Sequence, residues 1–175
     1  MPSTKVVTGV PAKPMHRVTQ SKMRRIVTDA LERMLVEDAH LFRIGVSERT
    51  LTQRLAVYLH EALDGWRVDC EYNRNGEIPK DLRLFRGKPK SRVFPDIIVH
   101  KRGPLGPNLC VIEAKKSSDL TPKNRAFDYL KLRAYSEEFY YGTTAFVIFV
   151  TKGDKPDYKV DFTLPPSSSS VRPKR

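Results

Sequence analysis

The chain has 175 residues, of which 39% are hydrophobic and 30% charged, and its formal net charge is +12. This length suits one folded domain with a substantial core. No apolar run reaches the ~18 residues of a membrane-spanning helix, so we expect no membrane partner. The first 25 residues lack the apolar core of a secretory signal, and both cysteines fall in predicted strands, so we expect a cytoplasmic location.

Basic residues are concentrated in three segments of the chain. Segments 1–25 and 165–175 contain no acidic residue, and we expect disordered tails over 1–20 and 165–175, with the folded domain over 21–164. These tails either bind nucleic acid loosely or aid solubility alone. The third segment, 80–92, holds six basic residues against one acidic residue. Such a basic surface favours a polyanion, and we expect nucleic acid as the partner.

Phosphate contacts are expected from basic side chains of this third segment and of the predicted helices and strands around it. These residues are Arg54, Lys80, Arg83, Arg86, Lys88, Lys90, Arg92, Lys116 and Lys131.

The predicted elements begin with two helices. The first has Ser21 as its N-cap, extends to about Asp38 and carries no evident chemistry. The second has Ser47 as its N-cap and runs to about Leu63. Its first turn places Glu48 on the apolar side of the helix. A carboxylate in the first turn interacts favourably with the helix dipole, although the apolar side is an unusual place for it.

Strands dominate the middle of the sequence. Segment 66–72 alternates apolar and polar residues, and the strands Val93–His100 and Leu109–Lys116 are joined by a loop with two Gly and two Pro. A third helix follows the Thr121-Pro122 cap and extends to about Tyr140. Segment 143–151 is a continuous apolar run, typical of a strand covered on both faces, and the rest is predicted to be a disordered end.

One pair of carboxylates stands out in this arrangement. An antiparallel hairpin centred on loop 101–108 places Asp96 opposite Glu113, with Cβ atoms about 4.5–5.5 Å apart. Like charges in this position destabilise a sheet unless a cation lies between them, and Mg²⁺ suits two carboxylates. Lys115 lies on the same face, where its ammonium can orient a water or stabilise charge on a phosphate. Either strand taken alone favours a solvated strand end, and only the matching register of the two favours the cation site.

Pro95-Asp96, followed on the next strand by Glu113-Ala114-Lys115, resembles the PD-(D/E)xK nuclease superfamily, which has the restriction-endonuclease-like fold. The resemblance extends over 47–151, where the predicted order is helix, three strands, helix, strand. The amino-acid sequence of segments 71–74 and 95–103 is similar to that of small uncharacterised bacterial members of this superfamily. We therefore expect an α/β fold, in which helices flank a central four-stranded mixed sheet (an α-β-β-β-α-β core) with an extra N-terminal helix.

The resemblance implies a metal-dependent nuclease that hydrolyses phosphodiester bonds using Mg²⁺, or Mn²⁺ in its place, with DNA as the expected substrate. It implies that Asp96 and Glu113 bind the metal with help from Glu48 and the carbonyl of Ala114, and that Lys115 positions or activates the attacking water. Two alternatives stay open. One is a catalytically inactive module of this fold that binds nucleic acid, and the other is an RNA-directed nuclease.

Overall fold

The computed structural model describes residues 18–103, 106–152 and 155–162. The disorder predicted for 165–175 and for 1–17 lies outside the described residues. The N-cap of the first helix is Thr19, so the predicted cap at Ser21 was wrong. The Thr19 hydroxyl accepts a hydrogen bond from the Lys22 amide at 3.2 Å, and the first helix begins at Gln20.

Four α-helices occur in the described part of the chain: α1 (Gln20–Glu37), α2 (Ala39–Ile44), α3 (Glu48–Ala62) and α4 (Pro122–Phe139). The predicted cap of α3 is present, since the Ser47 hydroxyl accepts from the Thr50 amide at 3.1 Å. Thr121 and Asn124 form a capping box at the start of α4. The short helix α2 was not predicted, because its six residues span fewer than two turns and show no periodicity. None of these helices is long and apolar enough to cross a membrane.

Nine strands occur in the described residues: β1 (Arg67–Cys70), β2 (Arg74–Asn75), β3 (Ile78–Pro79), β4 (Asp81–Leu82), β5 (Ser91–Arg92), β6 (Ile97–His100), β7 (Asn108–Lys116), β8 (Thr143–Val150) and β9 (Asp157–Asp161). Five of them form the central sheet in the order β1-β6-β7-β8-β9, while β2–β3 and β4–β5 are separate hairpins. Strands β7 and β8 are parallel and are connected through α4, whereas the other central pairs are antiparallel.

The predicted α/β class and mixed central sheet are confirmed, but the predicted number of four strands was wrong. The additional strand is β9, which pairs antiparallel with β8 at the sheet edge. Its sequence, Asp-Tyr-Lys-Val-Asp, does alternate, but it follows a segment rich in Lys, Asp and Pro that favours an irregular end. Tyr158 and Val160 of β9 pack on the core beside α1, and this tertiary contact stabilises the strand.

Helices cover both faces of the sheet. Ile97 and Val99 of β6 belong to the larger buried cluster, which is formed with α1 and α3. Ile98, between them, belongs to the second cluster with Leu132 and Tyr135 of α4. This alternation means that each central strand sends successive side chains into different layers. The direction of every side chain near the C-terminal end of β7 therefore follows from its position in the strand.

Candidate active site

The predicted register of the β6–β7 hairpin is present. Ile97 lies opposite Ile112 and Ile98 opposite Val111, so one further step places Asp96 beside Glu113. Asp96 immediately precedes β6, and its Oδ2 accepts a hydrogen bond from the Ala114 amide at 2.7 Å. A bulge between Val99 and His100 shifts the pairing only at the other end of the hairpin. The Asp96 carboxylate is thus held against β7 by the backbone.

Glu113 is fully buried, with 0% of its surface exposed. Its Oε2 accepts a hydrogen bond from Lys131 Nζ at 2.5 Å, whereas its Oε1 has no hydrogen-bond partner within the described structure. Burial, together with the nearby charge of Asp96, raises the pKa of Glu113 well above its usual range, against the opposing effect of Lys131. An unsatisfied buried carboxylate oxygen beside a second carboxylate is costly. It marks this position as a candidate cation site.

Lys131 and Asp128 of α4 belong to the same cluster. Lys131 Nζ lies 2.9 Å from Asp128 Oδ1, and both side chains are buried. The Lys131 ammonium points inward because α4 turns this side towards β7, and its predicted contact with phosphate stays a prediction. Asp128, Lys131 and Tyr135 stand at positions i, i+3 and i+7 of α4, and all three side chains are buried. Asp128 was not predicted as a functional residue, although this spacing was the signal that could have identified it.

Lys115 connects the two layers at the end of β7. Its Nζ donates to Glu48 Oε1 at 3.1 Å and to the Ala114 carbonyl oxygen at 2.9 Å, and it lies 3.6 Å from Asp128 Oδ2. Burial lowers the pKa of Lys115, but the charges of Asp96, Asp128 and Glu48 outweigh it, and the net pKa is raised. The side chain is therefore an ammonium at neutral pH, which donates hydrogen bonds and does not accept a proton.

Glu48 lies in the first turn of α3 and reaches the end of β7, as its position on the apolar side of the helix indicates. Its Oε2 accepts a hydrogen bond from the Lys116 amide at 3.1 Å, while Oε1 accepts from Lys115. Both oxygens thus hold the end of β7. The structure brings together Glu48, Asp96, Glu113 and Lys115, and their catalytic and metal-binding roles stay predictions.

A cleft of about 490 Å³ opens beside these carboxylates. It is lined by Ser47, Glu48, Arg49, Thr52, Gln53, Cys70, Glu71 and Asp96. Arg49 and Glu71 form an ion pair of 2.9 Å in its wall. Glu71 has a φ of 51°, a left-handed conformation that costs energy in a non-glycine residue. The cleft gives solvent a route to Asp96 and Glu48.

Three other members of the predicted phosphate-binding set are bound to protein groups in the structure, and their contact with phosphate stays a prediction. Arg54 is bound to Asp38 at 2.8 Å and donates to the Tyr58 hydroxyl, which joins α3 to the α1–α2 junction. Lys116 is buried and donates to the Gly45 carbonyl oxygen at 3.2 Å. Lys80 is fully buried as well. These three residues contribute to the fold, because their polar atoms are satisfied by protein groups.

The remaining basic residues of segment 80–92 are all exposed: Arg83, Arg86, Lys88, Lys90 and Arg92. Lys90 pairs with Glu138 and Arg92 pairs with Asp81 at the surface. Their contact with phosphate groups stays a prediction.

Lys80 supplies a testable pH dependence. Its Nζ donates to the Tyr141 hydroxyl at 2.7 Å, and burial lowers its pKa to about 8 against the opposing charge of Asp69. An unfolded lysine has a pKa of about 10.4, so from about pH 8 to pH 10 the unfolded chain holds a proton on Lys80 that the folded chain lacks. The free energy of unfolding should therefore rise with pH across this window, by up to about 3 kcal/mol. Below pH 8 Lys80 should contribute no such rise.

In Lys80→Met this contribution should be absent, because methionine has a similar volume and no charge. Urea unfolding of both proteins between about pH 7 and pH 10 measures the difference in the free energy of unfolding. A difference that stays constant with pH would contradict the assignment.

The donor set at the end of β7 is compatible with a hard divalent cation. Within the described residues, no group of three or more His, Cys, Asp or Glu side chains is placed to hold a metal ion. Mg²⁺, however, needs only one or two carboxylates, and waters and substrate oxygens complete its shell. Asp96, the unpartnered Oε1 of Glu113 and the nearby Ala114 carbonyl oxygen supply ligands of the required type. The residues fit such an ion.

Comparison of the chain with protein-family models, with curated proteins and with solved structures gives no match in any of the three. The fold and the site therefore define a class only by their physical features. The protein is an α/β protein with a mixed five-stranded sheet, and it has a buried cluster of carboxylates and lysines at the end of its central strand.

Proposed function

We propose that the protein is a metal-dependent nuclease of the PD-(D/E)xK superfamily, which hydrolyses phosphodiester bonds and has DNA as its substrate. The observation that carries the proposal is the meeting of Asp96, Glu113 and Lys115 at one end of β7, where Glu113 Oε1 is buried without a partner. The succession α3, β1, β6, β7, α4 and β8 supports a restriction-endonuclease-like core. Helices α1 and α2 and strand β9 are additions to it.

Asp96 and Glu113 would hold Mg²⁺ or Mn²⁺, with the Ala114 carbonyl oxygen as a further ligand. When bound, the ion supplies Lewis-acid polarisation of a phosphate oxygen. Glu113 would exchange its partner Lys131 for the ion or share its two oxygens between them. Asp96 is already oriented by the Ala114 amide, so its free oxygen can turn towards the cleft.

Lys115 would act as a hydrogen-bond donor in this reaction. Its raised pKa keeps the ammonium charged, so the side chain stabilises negative charge on the phosphate or orients the attacking water by donation. Glu48 and Asp128 are positioning residues, because their carboxylates hold Lys115 Nζ from both sides of the sheet. For hydrolysis beside Asp96 and Lys115, the scissile phosphate would enter through the cleft that Glu48 and Asp96 line.

The alternative function is a module of the same fold that binds nucleic acid without cleaving it. The Glu113–Lys131 ion pair favours this alternative, because an ammonium already neutralises the carboxylate that a metal would need. The two functions differ in what a divalent ion does to the protein and to a bound substrate.

Incubation of the protein with supercoiled plasmid and with structured RNA, in Mg²⁺, Mn²⁺ or EDTA, tests the proposal. We expect DNA cleavage with either ion, none in EDTA and none with Asp96→Asn. Asp64→Asn, a change at an exposed aspartate between α3 and β1, is the matched control and should cleave normally. Cleavage that survives both EDTA and Asp96→Asn would reject the site. Binding without cleavage would favour the alternative, and cleavage of RNA alone would correct the substrate.

Divalent ions should also stabilise the folded protein. An ion that binds only the native state adds about 1.4 kcal/mol for each tenfold excess over its dissociation constant. We therefore expect the thermal unfolding midpoint to rise with Mn²⁺ or Mg²⁺ in the wild type and in Asp64→Asn, but not in Asp96→Asn. An equal rise in all three proteins, measured by differential scanning calorimetry, would place the ion elsewhere.

A further inference from the structure

The hairpin formed by residues 80–94, here called the arm, exposes two phenylalanines. Strands β4 and β5 pair Asp81 with Arg92 and Leu82 with Ser91, and the tip of the arm lies between them. Phe85 is 51% exposed and Phe94 is 54% exposed. Phenylalanine is normally buried, so two such rings on one hairpin call for a ligand or partner.

The arm is anchored firmly to the body of the protein. Asn73 accepts a hydrogen bond from the Lys80 amide and donates one to the Val93 carbonyl oxygen, both at 2.6 Å, which ties together the two ends of the arm. Glu138 of α4 binds both sides of the hairpin, through the Arg83 amide at 2.6 Å and Lys90 Nζ at 2.7 Å. A surface held at both its base and its middle can bind a ligand with little loss of conformational entropy.

The direction of the phenylalanines follows from this anchoring. Leu82 and Leu84 are buried in the cluster beside α4. Alternation along the chain then directs Phe85 to solvent, since its neighbour Leu84 fills the core position. Phe94 is separated from Asp96 by Pro95 alone, so the arm leads directly into the candidate active site.

Basic residues are close to Phe85 and Phe94 in the sequence of the arm. Arg83, Arg86 and Lys88 make no ion pair within the described residues and are exposed. Cations that follow a phosphate backbone, combined with aromatic rings on which bases stack, are the combination that binds single-stranded nucleic acid. Bases of an intact duplex are stacked on each other and offer no free face to a phenylalanine, so the rings favour unpaired nucleotides over paired ones.

We propose that the arm binds an unpaired stretch of nucleic acid, with bases stacked on Phe85 and Phe94 and phosphates held by Arg83, Arg86 and Lys88. The inference rests on the proposed function, because the bound strand is the substrate that the arm delivers to Asp96. It selects single-stranded, frayed or flapped nucleic acid as the substrate class.

Fluorescence anisotropy tests this proposal, using a labelled single strand of about 16 nucleotides and a blunt duplex of the same sequence. EDTA is present throughout, so binding is measured without cleavage. Wild type should bind the single strand more tightly than the duplex. Phe85→Ala/Phe94→Ala should weaken single-strand binding by about 10- to 100-fold and change duplex binding little. Phe94→Trp should retain the preference, because it retains a ring for stacking.

Two controls separate stacking from charge and from general surface hydrophobicity. Arg86→Gln/Lys88→Gln should weaken binding to both probes. On the single strand, the slope of log affinity against log salt should become shallower by about 0.7 for each lost phosphate contact. Val36→Ala removes an apolar side chain that is 80% exposed on α1 and should change neither affinity. Each variant is first compared with the wild type by thermal unfolding.

Equal affinity of the wild type for both probes, or an unchanged single-strand affinity in the double phenylalanine variant, would overturn the proposal. The rings would then be assigned to a protein contact. Failure of the nuclease proposal is recognised separately, because it appears as an absence of metal-dependent cleavage while the anisotropy measurements still succeed.

Discussion

Replacement of Lys115 by methionine is expected to lower the rate of phosphodiester cleavage by about 10²–10³-fold, the usual effect of removing one donor that stabilises developing charge. The structure holds Lys115 Nζ between Glu48 Oε1 and the Ala114 carbonyl oxygen, so the ammonium is already placed before substrate arrives. Methionine keeps the apolar stem and removes only the charge. The loss should therefore appear in the rate of the chemical step and not in substrate binding.

Single-turnover cleavage, with enzyme in excess over a labelled oligonucleotide, measures this step directly. Lys123→Met is the matched control, since Lys123 is exposed in the first turn of α4 and lies outside the cluster. Isothermal titration with Mn²⁺ should show binding to Lys115→Met no weaker than to wild type, because the nearby positive charge is gone. A cleavage rate within about threefold of the control would contradict the assigned role.

Replacement of Lys131 by methionine is expected to cost about 3–5 kcal/mol of unfolding free energy, the usual cost of leaving one member of a buried ion pair without its partner. Glu113 is fully buried and would keep neither a cation nor a hydrogen bond at Oε2. Asp128 would retain only Lys115, which is 3.6 Å away. Two carboxylates in the core would thus lose their closest cation.

Urea unfolding of Lys131→Met, Glu113→Leu/Lys131→Met and the exposed-site control Lys123→Met measures this cost. The double variant should recover more than half of the loss, because both charges of the pair are then removed. Mn²⁺ should stabilise Lys131→Met more than the wild type, since a divalent ion replaces the missing charge beside Glu113. A loss below about 1 kcal/mol in Lys131→Met would show that Glu113 is not held by this ion pair.

The part of the site built by the two adjacent strands was predictable from the sequence. Strand alternation and a loop of known length place Asp96 beside Glu113, and a hairpin has few other registers that keep Ile97 and Ile112 buried. The bulge at Val99 and His100 lies on the far side of these pairs and leaves them unchanged. Local rules suffice here because the interacting residues are close in the chain.

The burial of three lysine side chains was not predictable from the sequence in the same way. Lysine is rarely buried without a partner, so surface positions were expected for Lys80, Lys116 and Lys131. Their acceptors are Tyr141, Gly45 and Glu113, which belong to other elements of the fold. Only packing of α4 and of the α2–α3 turn against the sheet brings these groups within hydrogen-bond distance.

The sequence by itself determined the α/β class, the caps of α3 and α4, the faces of the central strands and the register that joins Asp96 to Glu113, because each depends on periodicity or on neighbouring residues. The tertiary structure alone decided that β9 extends the sheet, that Lys131 and Asp128 enter the carboxylate cluster, and that Phe85 and Phe94 stay in solvent. These outcomes depend on which distant surfaces meet. A buried charge or an extra strand is stable only when the packed neighbour that satisfies it is present.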